Sequence, residues 1–190
     1  MGTMSKWLVM AAAAGLAAPV FADDDKTSIT IAPYLGGAHV RMDAERMVDG
    51  EPHDMDLLLA GVSIGVRTPI GLAFEIGRSD AVHDDLSDWD QEGFTLAQKY
   101  LAVSWQFNLG DDWTLAPKYG RAKWNLDADD VNFVDLNGDV TDKVSGYDNF
   151  GEITLAKKLS DSFSLGITVR GLETDFGDSY SGALTAGWSF

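Results

Sequence analysis

Eight segments of this chain alternate bulky apolar residues with small or polar ones at a period of two, and that pattern restricts the fold more than any other feature. Leu101, Val103, Trp105, Phe107 and Leu109 share one face, opposite Ala102, Ser104, Gln106 and Asn108. Phe163, Leu165, Ile167 and Val169 oppose Ser164, Gly166, Thr168 and Arg170. The last segment sets Tyr180, Leu184, Trp188 and Phe190 against Ser181, Ala183, Thr185, Gly187 and Ser189. Similar segments cover Ser28 to His39, Leu57 to Arg67, Leu72 to Gly77, Trp113 to Gly120 and Glu152 to Ala156. Such alternation is the signature of β-strands.

The links between the segments fall into two kinds. "TPIG", "GDD" and "SDS" are tight turns rich in Pro, Gly, Asp and Ser. The longer polar links 41–56, 80–93 and 127–148, with a shorter one at 173–179, alternate with them. All tight turns therefore lie at one end of the strands and all loops at the other. Pro33 and Pro117 fall inside strands, where a missing N–H breaks the ladder, so a bulge or strand end is expected at each.

Eight such strands fit either a soluble sandwich or lipocalin-like barrel or a membrane barrel, and the composition of the two faces decides between them. A soluble barrel would have to crowd its Trp, Phe, Leu and Ile into a narrow interior. Here the opposite face is mostly Gly, Ala, Ser and Thr, which an eight-stranded lumen can hold. The large residues then face lipid, and closure pairs every backbone group without water. The expected fold is all-β: an eight-stranded antiparallel up-and-down transmembrane β-barrel.

The start of the chain agrees with export. "MSKWLVMAAAAGLAAPVFA" has a lysine, an apolar run and small residues at Val20 and Ala22. It reads as a signal peptide over residues 1–22, leaving the barrel domain at 23–190. The apolar run is too short for a helical span. There is no cysteine, so no disulfide holds the exported part.

These features resemble one family, the small eight-stranded outer-membrane barrels of Gram-negative bacteria, of the OmpA membrane-domain and OmpX kind. The resemblance covers leader, strands, turns, loops and a last strand ending in phenylalanine. It implies an outer-membrane location, and that Leu184, Trp188 and Phe190 form the signal read by the barrel-assembly machinery. With the sequence stopping at Phe190, no OmpA-type periplasmic peptidoglycan-binding domain is expected to follow.

Parity turns Arg67, Glu75, Lys118, Glu152, Lys158 and Arg170 inward, and folding the sixth strand on the seventh brings Glu152 beside Arg170. Buried charges need partners. Two readings are open: a pore lining or switchable gate, and a polar plug that fixes the barrel. The narrowness of an eight-stranded interior favours the plug.

Without residues 1–22 the chain has 30 acidic and 13 basic residues. The loops hold 22 of those acids and only Arg41, Arg46 and Lys143 as bases, so the negative charge is concentrated at the loop end. Asp135, Asn137 and Asp139 mimic the first ligands of a calcium loop, but Val140 and Gly146 stand where glycine and glutamate are needed. They form at most a weak divalent-cation loop. Arg78, Lys99, Arg121 and Lys123 fall near the upper rim, within reach of lipopolysaccharide phosphates. The histidines, His39, His53 and His83, lack a serine at an enzyme-like spacing; His39 with Ser79 at the rim is the one pairing to test. No enzyme activity, no cofactor and no nucleic-acid partner is expected. The expected role is structural or surface-interacting through acidic loops, with a narrow OmpW-like or porin-like channel as the alternative.

Overall fold

The structure is a computed structural model that describes residues 27–83, 94–128 and 132–190. The signal peptide expected at 1–22 and most of the acidic stretch 80–93 lie outside the described residues. No helix among the described residues is long and apolar enough to cross a membrane.

The described residues form eight long strands: β1 (Ser28–Met42), β2 (His53–Arg67), β3 (Leu72–His83), β4 (Phe94–Trp105, continued by Phe107–Gly110), β5 (Trp113–Ala128), β6 (Lys143–Ser160), β7 (Phe163–Thr174) and β8 (Gly177–Ser189). Each pairs antiparallel with the next. β1 pairs with β8 from Thr30↔Ser189 to Met42↔Gly177, which closes the barrel. Below that register Ile29 and Phe190 exchange both backbone hydrogen bonds, at 3.1 and 2.9 Å. The fold is thus the expected up-and-down barrel.

Near the tight turns the outward residues are apolar and uncovered. Ile31, Leu35, Ile64, Phe74, Leu101, Ile167 and Leu184 are all exposed. A soluble protein does not leave a continuous belt of this kind in water. Trp105, Trp113, Trp188 and Phe190 rim the belt at the turn end, and Tyr119, Tyr147 and Tyr180 rim it toward the loops, as aromatic girdles do at the two membrane interfaces.

The strands run 12 to 18 residues, longer than the 9 to 11 or so that a membrane needs. Over the excess length parity continues but polarity inverts. Arg41, Asp54, Asp56, Lys99, Lys123 and Asn125 now face outward, while Val40, Met42, Leu57, Leu59, Leu96, Trp124 and Leu126 are buried inside. The sequence expectation that large residues face outward therefore fails at the loop end. There the outer solvent is water, so the barrel packs an apolar core as a soluble protein does.

The fourth link is not a loop. β7 and β8 meet at Thr174↔Gly177, with only Asp175 and Phe176 between. The Thr174 hydroxyl donates to the Gly177 carbonyl and accepts the Phe176 N–H. Gly177 has φ 143, and a Cβ there would strike the Arg41 carbonyl. Polar composition suggested a loop because hairpin turns and loops use the same residues.

The prolines also behave differently from expectation. Both stay inside their strands, and neither shifts register. Pairing of β1 with β8 lapses between Ile31↔Trp188 and Tyr34↔Thr185. Pairing of β4 with β5 lapses between Ser104↔Lys118 and Phe107↔Leu115, across from Pro117. There the Gln106 N–H turns to the Gly71 carbonyl at 2.9 Å. Each proline keeps its register on the other neighbour, so the lost hydrogen bond is absorbed on one side only.

Candidate functional site

Four of the six inward charges meet in one layer. β3, β5, β6 and β7 supply Glu75, Lys118, Glu152 and Arg170, one each. The Lys118 ammonium lies 2.6 Å from Glu75 Oε2 and 2.7 Å from Glu152 Oε1. The Arg170 guanidinium donates to Glu152 Oε2 from Nε at 2.7 Å and from Nη2 at 2.6 Å. Glu75 also accepts the Ser104 hydroxyl at 2.7 Å, and Arg170 reaches Gln98 Oε1 at 3.3 Å. Two acids and two bases make a neutral chain in which each charge has an opposite partner, the condition for burying ions at all. The other two inward charges stand apart. Lys158 lies 3.8 Å from Asp161 at the turn end, and Arg67 lines the lumen at the foot of β2.

Aromatic rings sit on the loop side of this layer. The Arg170 guanidinium lies 4.5 Å from the centre of the Tyr100 ring and 4.8 Å from that of Phe150. Tyr34 and Tyr100 lie across Gly61 and Gly77, where a Cβ would occupy the ring positions. Above them Leu96, Trp124, Leu126 and Phe176 fill the lumen, and Met47 and Phe133 from two loops complete the core. Met47 and Phe133 are joined by a backbone bridge, so loop one and the loop-three hairpin (Phe133–Val134 with Val140–Thr141) are tied together.

Below the charge layer the lumen is hollow. A cavity of about 810 Å³ runs toward the turn end, with Ser63, Thr154, Thr168 and Thr185 in its wall. Thr168 shares its hydroxyl with Thr154 at 2.8 Å and Thr185 at 2.9 Å. Sequence reasoning found these small polar residues but missed the apolar core. The signal was present in Ala122, Trp124, Leu126 and Ala128, whose parity is opposite to that of Trp113, Leu115 and Tyr119.

On the outside, Arg78, Lys99, Arg121 and Lys123 face outward on β3, β4 and β5. His39 and Ser79 do not meet: His39 faces outward 2.9 Å from Asp56, and Ser79 is buried inside against Gln98. His53 lies 2.7 Å from Asp49, whose carboxyl is held below the usual range by the Glu51 N–H and by His53. Asp135 spends its carboxylate on its own hairpin, accepting the N–H groups of Asn137 at 2.8 Å and Asp139 at 2.9 Å. The Asp139 N–H leads in lowering its pKa. Among the described residues no three His or carboxylate groups stand close enough together to hold a metal ion. Leu184 and Trp188 lie exposed on the outer face of β8, and Phe190 is exposed just past its end.

No family model and no curated protein matches this sequence. Solved structures do match its shape. Ail of Yersinia pestis, in complex with the heparin analogue sucrose octasulfate, superposes with a TM-score of 0.57 at 13% identity, over 87% of this chain and 99% of Ail. Neisserial surface protein A gives 0.57 at 11% identity, over 86% and 95%. The N-terminal β-barrel domain of Pseudomonas aeruginosa OprF gives 0.50 at 17% identity, over 86% and 97%. With its closed register and apolar belt, the chain is an eight-stranded transmembrane β-barrel with the fold of the small outer-membrane proteins.

Proposed function

We propose that this barrel is a non-conducting, non-enzymatic anchor in the outer membrane of a Gram-negative bacterium, holding a packed acidic head outside the cell for a structural or surface-interaction role. The observation that carries this reading is the apolar core above the charge layer. A water path through the lumen would have to cross the packed rings of Tyr100, Phe150, Trp124 and Phe133, all of them buried. Charges buried below such a seal act as a strut between four strands. Leu184, Trp188 and Phe190 fit the role of assembly signal, and the acidic loops fit loose association with divalent cations. The same acidity suits the head poorly to a sulfated glycan of the kind seen with Ail.

One observation favours the narrow-channel reading: the cavity opens at the turn end and reaches the charge layer. Solute flux into liposomes holding the refolded chain separates the two. The anchor predicts no flux from the native chain or from the Glu152→Gln and Arg170→Gln variants. Flux that rises when either charge is removed makes the pair a gate and overturns the anchor.

A further inference from the structure

The boundary between the apolar belt and the head is not the same all round the barrel. On β3, β4 and β5 the first outward residue beyond the belt is basic: Arg78 after Ile76, Lys99 after Leu101 and Arg121 after Tyr119. On β2, β7 and β8 the outward positions beyond the belt carry Asp56, Glu173 and Asp178 instead. The basic strands are consecutive neighbours. Arg78 is the register partner of Lys99, and Lys99 of Lys123, so three cations form one row across three strands. Partners in adjacent strands lie about 5 Å apart, which puts the row within the span of one polyanionic headgroup.

Carboxylates do not neutralise this row evenly. Asp80 takes Arg78, at 3.0 and 3.1 Å. Lys99, Arg121 and Lys123 have no carboxylate in ion-pair contact among the described residues. Arg121 and Lys123 instead rest on the Tyr147 ring, 5.9 and 5.6 Å from its centre. An aromatic at the interface with cations above lipid-facing side chains is the arrangement that meets phosphate at headgroup depth.

We infer that the β3–β5 wall binds a phosphate-bearing lipid headgroup of the outer leaflet through Lys99, Arg121 and Lys123, so that anionic lipid gathers on one side of the barrel. Depth selects a lipid over a soluble polyanion, because the row starts one outward position above the apolar belt. The bases also remove the need for a bridging divalent cation on this side. The inference rests on the reading of the chain as an outer-membrane anchor.

The test is retention of lipid by the full chain refolded in nanodiscs of phosphatidylcholine with a minor fraction of bisphosphorylated lipid A, read by native mass spectrometry after release. Folding of each sample is checked first by the gel shift between heated and unheated protein. The native barrel should retain phosphorylated lipid A, with EDTA present, and should not retain the dephosphorylated form. Each of Lys99→Gln, Arg121→Gln and Lys123→Gln should weaken retention about fivefold. Arg41→Gln with Lys143→Gln, equal in charge change per site but outside the row, should leave it unchanged.

Equal retention by the triple Gln variant overturns the inference, as does equal retention of dephosphorylated lipid or loss of binding with EDTA. Displacement by soluble sucrose octasulfate as readily as by lipid assigns the row to soluble polyanions and also overturns it. A chain that enters no nanodisc removes the anchor reading along with the lipid site; one that enters and shows no preference removes the lipid site alone.

Discussion

The two halves of the lumen obey opposite rules although the same strands build them. In the turn-end half the wall is lined with Thr and Ser around a cavity, and the outside is apolar. In the loop-end half Phe150, Trp124 and Leu96 fill the inside, and the outside carries Lys99, Asp54 and Asn125. What differs is the outer solvent. Lipid rewards apolar side chains on the exterior and leaves the lumen to small polar residues, whereas water reverses the assignment. The Glu75–Lys118–Glu152–Arg170 layer sits where the two regimes meet.

That comparison is exposed to measurement at several points. Phe150→Ala should have the largest effect, lowering stability by about 3–5 kcal/mol, because a dense core cannot refill the space. Its urea midpoint in a fixed detergent should be compared with that of Thr168→Val, which changes the hollow half at about 1 kcal/mol or less. Equal shifts would mean that the halves are packed alike.

The outside offers the next test. Ile167→Arg, in the belt on β7, should cost about 2–4 kcal/mol in bilayer unfolding. Asn125→Arg, outward on the extension of β5, should change stability by about 0.5 kcal/mol or less. A comparable cost at both sites would erase the boundary drawn between belt and head.

The smallest expected effect lies in the loop-three hairpin. Asp135 has its pKa lowered by the N–H groups it accepts, so its support for the turn is complete at neutral pH. That support should fade as pH falls through its folded pKa, below the ordinary value of about 4. The Asn137 and Asp139 amide NMR signals should shift together in that acid range. A common inflection above pH 4 would show that Asp135 does not hold the hairpin.

Much of this architecture was legible in the sequence, because lipid forces a clean alternation. Strands from Leu101 to Leu109 and from Phe163 to Val169 announce themselves through one uninterrupted apolar face. Glu152 opposite Arg170 followed from parity and a tight turn alone. Parity alone turns Glu75 and Lys118 inward, but their meeting with Glu152 depends on the closed cross-section, which brings strands distant in sequence face to face. The strand extensions were hidden for a different reason. On β5 the apolar face changes sides after Tyr119, and a pattern read as one continuous face ends there. The β7–β8 turn was hidden because Asp175 and its neighbours suit a loop equally well, and only Gly177 fitting against Arg41 makes the turn tight.

The strand extensions have a mechanical consequence. β5 and β6 continue from the belt into the head without a linker, so the head has no hinge on which to swing. The excess strand length corresponds to a stand-off of roughly 15–20 Å from the membrane plane. A partner that docks on the head would be held at that height and in one orientation. A pull on it would load the ladders of neighbouring strands together and reach the bilayer along the strands, leaving the loops little to stretch.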